Sequence, residues 1–132
     1  MAADTQALPK LGTIVHYEIA CKDAKKLVDF YGGVFGWKFG DAPGMENYFM
    51  ADTPGDAAVA IYNVESMGGG EPRTTNYISV DSVKTYIEKI KAAGGTVIHE
   101  FTVPHMGHGA IALDPEQNMI GVWQADRSAT ES

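Results

Sequence analysis

The chain has 132 residues, which is enough for one domain built around a single hydrophobic core. Hydrophobic residues make up 45% and charged residues 20%, a composition that excludes a disordered chain. The formal net charge is -7 and no stripe of Lys and Arg is present, so we expect no nucleic-acid partner, because duplex binding depends on cationic side chains. The single cysteine, Cys21, excludes an intrachain disulfide.

The two ends of the chain differ in composition from its centre. Residues 1–10 carry no signal-peptide pattern and read as a loose leader, and residues 126–132 read as a polar tail. No apolar run is long enough to span a bilayer, so we expect no membrane partner and a cytoplasmic location. A single domain is predicted between the ends, at residues 11–125.

The first half of this domain predicts one strand, one helix and three short strands. Residues 13–19 alternate in the manner of a β-strand, and Asp23 is suited to cap the helix that follows. The pair Gly32-Gly33 is expected to fray the last turn of that helix. The three strands are predicted at about residues 37–40, 47–51 and 57–64.

The second half predicts the same order of elements. A strand at residues 75–80 precedes Ser82, which is suited to cap a helix that Gly94 and Gly95 end. Three strands follow, at residues 96–100, 108–113 and 118–124. A turn at residues 114–117 joins the last two.

The halves are in register, which indicates duplication of one βαβββ unit. We place the first module at about residues 11–65, a linker at 66–72 and the second module at about 73–125. The predicted fold class is α+β, with two tandem βαβββ modules that form facing curved mixed sheets with the helices outside. Equivalent positions lie at a constant offset of 59: His16 and Thr75, Asp23 and Ser82, Gly36 and Gly95.

The strands predict a polar inner face. In the first strand, Val15, Tyr17 and Ile19 are expected to meet the helix, which leaves the opposite face to His16 and Glu18. Small and polar side chains on that face would leave a cavity for a small molecule between the sheets. The same alternation assigns to the inner face Thr75 and Tyr77, then His108, Ala110 and Ala112, then Gly121 and Trp123.

Two segments resemble a known family. Residues 16–19 and 34–37 (HYEI and VFGW) resemble the opening motif of the glyoxalase, bleomycin-resistance and extradiol-dioxygenase (vicinal oxygen chelate) superfamily. Residues 114–124 resemble its closing hairpin motif DP-x-GN-x-I-x-x-W, with Gln117 where glycine is usual. The chain looks closest to small bacterial glyoxalase-related proteins of unassigned function. The resemblance implies a glyoxalase-like fold and a homodimer.

The resemblance also implies where a divalent metal would bind. Enzymes of this superfamily hold one metal, which acts as a Lewis acid on neighbouring substrate oxygens. The corresponding positions here are His16, about Ala60, Thr75 and Gly121, and only His16 is a good ligand. We therefore expect no typical glyoxalase I activity, and a divalent metal at His16 stays open as the one cofactor.

The candidate site residues follow from the inner face. His16 and Glu18 are candidates for catalysis, although His16 is equally suited to a cavity wall and Glu18 to a solvated strand end. The aromatic candidates are equally suited to filling a core. The candidates for ligand binding are Tyr62, Thr75, Tyr77, His108 and Trp123.

Three functional interpretations follow. The favoured one is a small-molecule-binding protein with an inter-sheet cavity and an incomplete family metal site. The alternative is a metal-dependent lyase, isomerase or dioxygenase with a rearranged site around His16 and His108. The third is a protein with a purely structural or interaction role.

Overall fold

A computed structural model of the chain describes residues 10–42, 45–55, 57–67 and 69–130. The elements follow the order βαβββ twice, which confirms the predicted α+β class and the tandem arrangement of elements. The first set is β1 (Ile14–Cys21), α1 (Ala24–Phe35), β2 (Gly40–Asp41), β3 (Tyr48–Asp52) and β4 (Ala58–Asn63), followed by a 3-10 helix (Val64–Met67). The second set is β5 (Arg73–Ser79), α2 (Val83–Ala92), β6 (Thr96–Val103), β7 (Gly107–Leu113) and β8 (Met119–Ala125).

The two helices are capped in the same way, at equivalent positions of the repeat. The side chain of Asp23 accepts a hydrogen bond from the backbone N–H of Lys26, and that of Ser82 accepts one from Thr85. Each bond satisfies an N–H that the first turn of a helix leaves without a partner. Both predicted caps are confirmed, and they keep the offset of 59 that the sequence shows.

The end of α1 differs from the prediction. The helix continues through Gly32 and Gly33 and ends at Gly36, which adopts a left-handed conformation with φ 75° and donates its N–H to Gly32 O. The strand predicted at 37–40 is limited to β2, and the Trp37 ring stacks on Tyr31 of α1 with centroids 5.6 Å apart. The strand prediction rested on local propensity, which carries no information about this aromatic contact.

The chain divides into two compact units. The first unit comprises residues 14–77, with strands in the order β2-β3-β4-β1-β5; the last of these contributes its residues 73–77. β1 and β4 are parallel, whereas β3 is antiparallel to both β2 and β4. On the helix side Ile19 packs with Cys21, Ala24 and Ile61, which agrees with the face assigned to Ile19.

The second unit comprises residues 78–130 together with 10–13, and its strands β8, β7 and β6 pair antiparallel in that order. Helix α2 packs Val83 and Ile87 against Ala110 and Val122. The face predicted for Ala110 is therefore wrong, and alternation moves His108 to the helix side with it. The register decides the face here, since β7 carries small or apolar residues at both alternating sets of positions.

Several predicted boundaries fall partly outside the described residues. The structure does not describe residues 1–9 of the predicted leader, Gly68 of the predicted linker or residues 131–132 of the predicted tail. Within the tail, Ala129 is buried and its carbonyl accepts a hydrogen bond from the His105 N–H. In the part of the chain that the structure describes, neither helix has the length and apolar character needed to cross a bilayer.

Candidate functional site

A carboxylate lies at the centre of the polar face of the first unit. Glu18 Oε2 accepts a hydrogen bond from the Tyr48 hydroxyl at 2.9 Å, and Oε1 accepts one from the Tyr77 hydroxyl at 3.1 Å. The Glu18 side chain is 15% exposed. The three hydrogen-bonded residues come from three strands, β1, β3 and β5. Together with the adjoining rings of His16 and Tyr62, they form what we call the Glu18 cluster: His16, Glu18, Tyr48, Tyr62 and Tyr77.

Strand register explains how the two tyrosines reach Glu18. Glu18 pairs with Ala60 on β4, and Tyr48 on β3 pairs with Tyr62 on the same strand. Ala60 is fully buried and packs against Tyr48. A methyl side chain at position 60 leaves space for the Tyr48 ring to extend over β4 toward Glu18. Tyr77 follows Glu18 by 59 residues, so equivalent positions of the repeat are hydrogen-bonded to each other.

Burial dominates the electrostatics of the cluster. It raises the pKa of Glu18, and the hydrogen bonds from Tyr48 and Tyr77 offset only part of that effect. The pKa values of both tyrosines are raised by burial and by the neighbouring Glu18 charge. Their hydroxyls thus keep their protons and act as donors.

His16 lies beside this carboxylate without a hydrogen bond to it. His16 Nε2 is 3.9 Å from Glu18 Oε2, beyond hydrogen-bond range, and its ring centroid is 5.5 Å from that of Tyr77 at an angle of 58°. Burial lowers the pKa of His16, which favours a neutral imidazole near neutral pH. A neutral imidazole can accept one hydrogen bond from a bound group and donate one to it.

The structure brings five of the predicted site residues onto this face and adds one that the sequence interpretation missed. The five are His16, Glu18, Tyr62, Thr75 and Tyr77. Tyr62 stacks on Tyr48 with centroids 5.5 Å apart and an interplanar angle of 18°. Thr75 is buried, with 4% exposed. Tyr48 is the addition. It lies on the same face as Tyr62 because the two residues are paired across β3 and β4, a register that the sequence alone does not show.

The remaining predicted residues, His108 and Trp123, belong to the second unit. The strand register pairs His108 with Gln124 and Trp123 with Gly109, so the two side chains lie on opposite faces of that sheet. Their assignment to one face is corrected by this register. Trp123 lies 6.4 Å from the Phe101 ring, and His108 is hydrogen-bonded to Thr102 and Asp126.

The donor set does not fit the metal of the family resemblance. Ala60 and Gly121 offer no ligand atom, which leaves His16 and the weak donor Thr75 at the family's ligand positions. No group of three His, Cys, Asp or Glu side chains suited to a metal ion occurs among the described residues. We therefore derive no chemistry through a metal at this site.

Comparison with protein families decides the broader assignment. The family model of the Glyoxalase/Bleomycin resistance protein/Dioxygenase superfamily matches residues 13–122. The chain belongs to this superfamily. The resemblance carried by the opening and closing motifs is thereby confirmed.

One curated relative matches this chain in sequence. The anthracycline biosynthesis protein DnrV of Streptomyces peucetius is 27% identical over 129 residues, which cover 86% of this chain and 47% of DnrV. The chain thus spans about half the length of this curated relative.

Two solved structures show the same fold. The Mn(II)-bound glyoxalase of Novosphingobium aromaticivorans has a TM-score of 0.66 and 20% identity, covering 95% of this chain and 43% of that one. Methylmalonyl-CoA epimerase of Mycobacterium tuberculosis has a TM-score of 0.64 and 13% identity, covering 94% and 95%. At these identities the likeness extends to the fold alone.

Proposed function

We propose that this chain is a small-molecule-binding member of the superfamily and that the Glu18 cluster contacts the ligand. The observation that carries the proposal is the Glu18 carboxylate, largely buried and fixed by two tyrosine hydroxyls. Burying a charged group costs free energy unless it is well paired, so such a group is a frequent mark of a functional site.

The cluster is suited to a planar ligand with a hydrogen-bond donor. Tyr62, which is half-buried, offers ring surface, and the Glu18 oxygens accept from an amine, hydroxyl or ring N–H. The neutral His16 imidazole supplies a second directional contact. We infer a small polar or aromatic metabolite or drug, and the anthracycline biosynthesis protein among the relatives makes anthracyclines a reasonable class of probe.

The enzymatic alternative around His16 and His108 receives less support. Both ring nitrogens of His108 lie 3.0 Å from a partner, Thr102 Oγ1 or Asp126 Oδ2. A metal bound to His108 would have to displace one of these contacts. The Glu18 cluster therefore carries the proposal without His108.

Thermal-shift titration tests the proposal. The panel contains planar aromatic amines, the matching aromatic carboxylates and an anthracycline, and each ligand that binds is retested on Glu18→Gln and Tyr77→Phe. We expect Glu18→Gln to weaken amine ligands about tenfold or more, because a hydrogen bond to a charged group contributes about 1.5–3 kcal/mol. Tyr17→Phe is the matched control, since Tyr17 alternates with Glu18 on β1.

Two results would contradict this assignment. A ligand that binds Glu18→Gln, Tyr77→Phe and His16→Gln as tightly as it binds the unchanged chain would have its site elsewhere. A panel without any binder would favour a structural or interaction role. Homodimer formation and a cytoplasmic location stay predictions, and light scattering after size-exclusion chromatography measures the former.

A further inference from the structure

Three polar side chains of the second unit form a continuous hydrogen-bonded chain. Asp126 Oδ2 lies 3.0 Å from His108 Nε2, and His108 Nδ1 lies 3.0 Å from Thr102 Oγ1. Thr102 and His108 line a cavity of about 820 Å³, and Asp126 contacts the imidazole nitrogen that does not face Thr102. A carboxylate, an imidazole and a hydroxyl in this order are the groups of a nucleophile activated by a general base.

Local structure fixes each of the three hydrogen-bonded side chains. Thr102 on β6 and His108 on β7 are directly paired residues of the antiparallel ladder, which places their side chains on one face. Asp126 follows β8, and its Oδ1 accepts hydrogen bonds from the Ser128 backbone N–H at 2.9 Å and hydroxyl at 2.6 Å. Its own backbone N–H bonds to Met106 O. The carboxylate is therefore oriented before any substrate arrives.

The protonation states follow from the donors and acceptors. Hydrogen bonds from Ser128 and His108 hold the pKa of Asp126 below its usual range, so this carboxylate is ionised and only accepts. His108 Nε2 must then carry the proton that faces Asp126. In the neutral imidazole Nδ1 is left as an acceptor, and the Thr102 hydroxyl donates to it.

The wall of the cavity near the hydroxyl carries both signs of charge. Ser82, Val83 and Lys84, at the start of α2, line the same cavity as Thr102, and so does Glu100, whose Oε2 lies 3.5 Å from Lys84 Nζ. The backbone N–H groups of Val83 and Thr85 already donate to Gln124 Oε1 and Ser82 Oγ. The chemistry that the cavity offers therefore comes from the hydroxyl and its base.

We propose that this cavity is a second functional site, in which Thr102 acts as the nucleophile toward small carboxylic esters. Thr102 Oγ1 forms a bond to the ester carbonyl carbon as its proton passes to His108 Nδ1. The C–O bond to the alcohol then breaks, and the alcohol leaves with the proton from His108. Water attacks the acyl-threonine in the same way, which releases the carboxylic acid and restores the hydroxyl. This site is independent of the Glu18 cluster.

Hydrolysis of 4-nitrophenyl acetate by the full chain tests the proposal. We expect turnover to fall about a hundredfold in Thr102→Val, which keeps the β-branched shape and removes the hydroxyl, and in His108→Gln, which removes the base. Thr102→Ser should retain turnover because it keeps the nucleophile. His99→Gln, which removes an exposed imidazole from the same strand as Thr102, is the matched control for surface reactivity.

Mass spectrometry of the protein quenched during turnover supplies a second readout. An acetyl group on the peptide that contains Thr102, absent in Thr102→Val, supports the acyl-threonine step. Acetylation confined to lysines, or equal turnover by Thr102→Val and the unchanged chain, would overturn the proposal. Circular dichroism establishes that each variant is folded, and the conservative Thr102→Ser keeps the test decisive if His108→Gln unfolds.

Discussion

The first unit covers the sheet face away from its helix with hydroxyl and carboxylate groups, whereas the second unit covers the corresponding face with aromatic rings. In the first, two tyrosines hold Glu18. In the second, Phe101 lies over Gly109, and Trp123 lies over Gly107. Both units keep the same helix caps. The two units thus share the local signals that begin their helices, while their sheet faces differ in chemistry.

This difference has an energetic meaning. The aromatic face gains stability from ring packing over glycines, which have no side chain to obstruct the rings. The polar face holds a carboxylate whose burial opposes its charge, a cost that ligand binding would explain. Substitutions on the aromatic face should therefore only lower stability, whereas one substitution on the polar face should raise it.

The largest effect is expected at Gly107 in the second unit. A Cβ there would overlap the backbone oxygen of Gln124 and lie 2.7 Å from Trp123 Cζ2. The carbonyl is part of the β7–β8 ladder and cannot move freely, so Gly107→Ala should lower the free energy of unfolding by about 3 kcal/mol. Gly33→Ala is the control, because no heavy atom lies within 4 Å of its Cβ position. It should stabilise α1 by about 0.5–1 kcal/mol in urea unfolding.

The hydroxyls that hold Glu18 should have the next largest effect. Tyr48→Phe removes a donor and leaves Glu18 Oε2 without that hydrogen bond, so we expect a loss of about 1–3 kcal/mol near neutral pH. The loss of stability should be smaller in acid, because a protonated Glu18 accepts weaker hydrogen bonds than the carboxylate does. Tyr17→Phe should change stability by less than about 0.5 kcal/mol. Equal losses at both pH values would contradict an ionised Glu18.

Glu18→Gln should raise stability near neutral pH by roughly 0.5–2 kcal/mol. A carboxyl whose folded-state pKa is raised stabilises the fold below its unfolded value of 4.5, and this contribution is lost as pH rises through the folded-state pKa. The advantage of the Glu18→Gln variant over the unchanged chain should therefore appear above pH 4.5 and grow with pH. Urea midpoints at several pH values measure it, with exposed Glu46→Gln as the control. A variant less stable than the unchanged chain at neutral pH would show that Glu18 is not destabilised by its burial.

The helices and caps were predictable because their signals are local. Asp23 and Ser82 each bond to an N–H three residues away, so the sequence alone contains both partners. The family motifs at the two ends of the domain added the fold. Both predicted caps hold, whereas the fraying expected at Gly32-Gly33 is wrong, because the helix continues to Phe35.

The site was only partly predictable because it depends on strand register. Alternation placed His16 and Glu18 on one face, but Tyr48 reaches Glu18 only through the order β3-β4-β1 and the small Ala60 between them. The pairing of β7 with β8 likewise moved His108 to the helix side. Each pairing joins residues distant in sequence, and a change of one residue in register reverses the face of a whole strand.

The smallest effect concerns the hairpin that precedes the last strand of each βαβββ set. The loop between β3 and β4 uses Gly55 at φ 100°, whereas the turn between β7 and β8 places Gln117 at φ 72°. A left-handed conformation costs an L-residue about 1–2 kcal/mol, and the extra freedom of glycine in the unfolded chain offsets part of the gain from removing that cost. Gln117→Gly should therefore stabilise the fold by about 0.5 kcal/mol, and Gln117→Val should destabilise it by more, because a β-branched residue fits that conformation poorly. Urea unfolding of the two variants measures the difference, and equal midpoints for both would show that the turn relaxes out of the left-handed conformation.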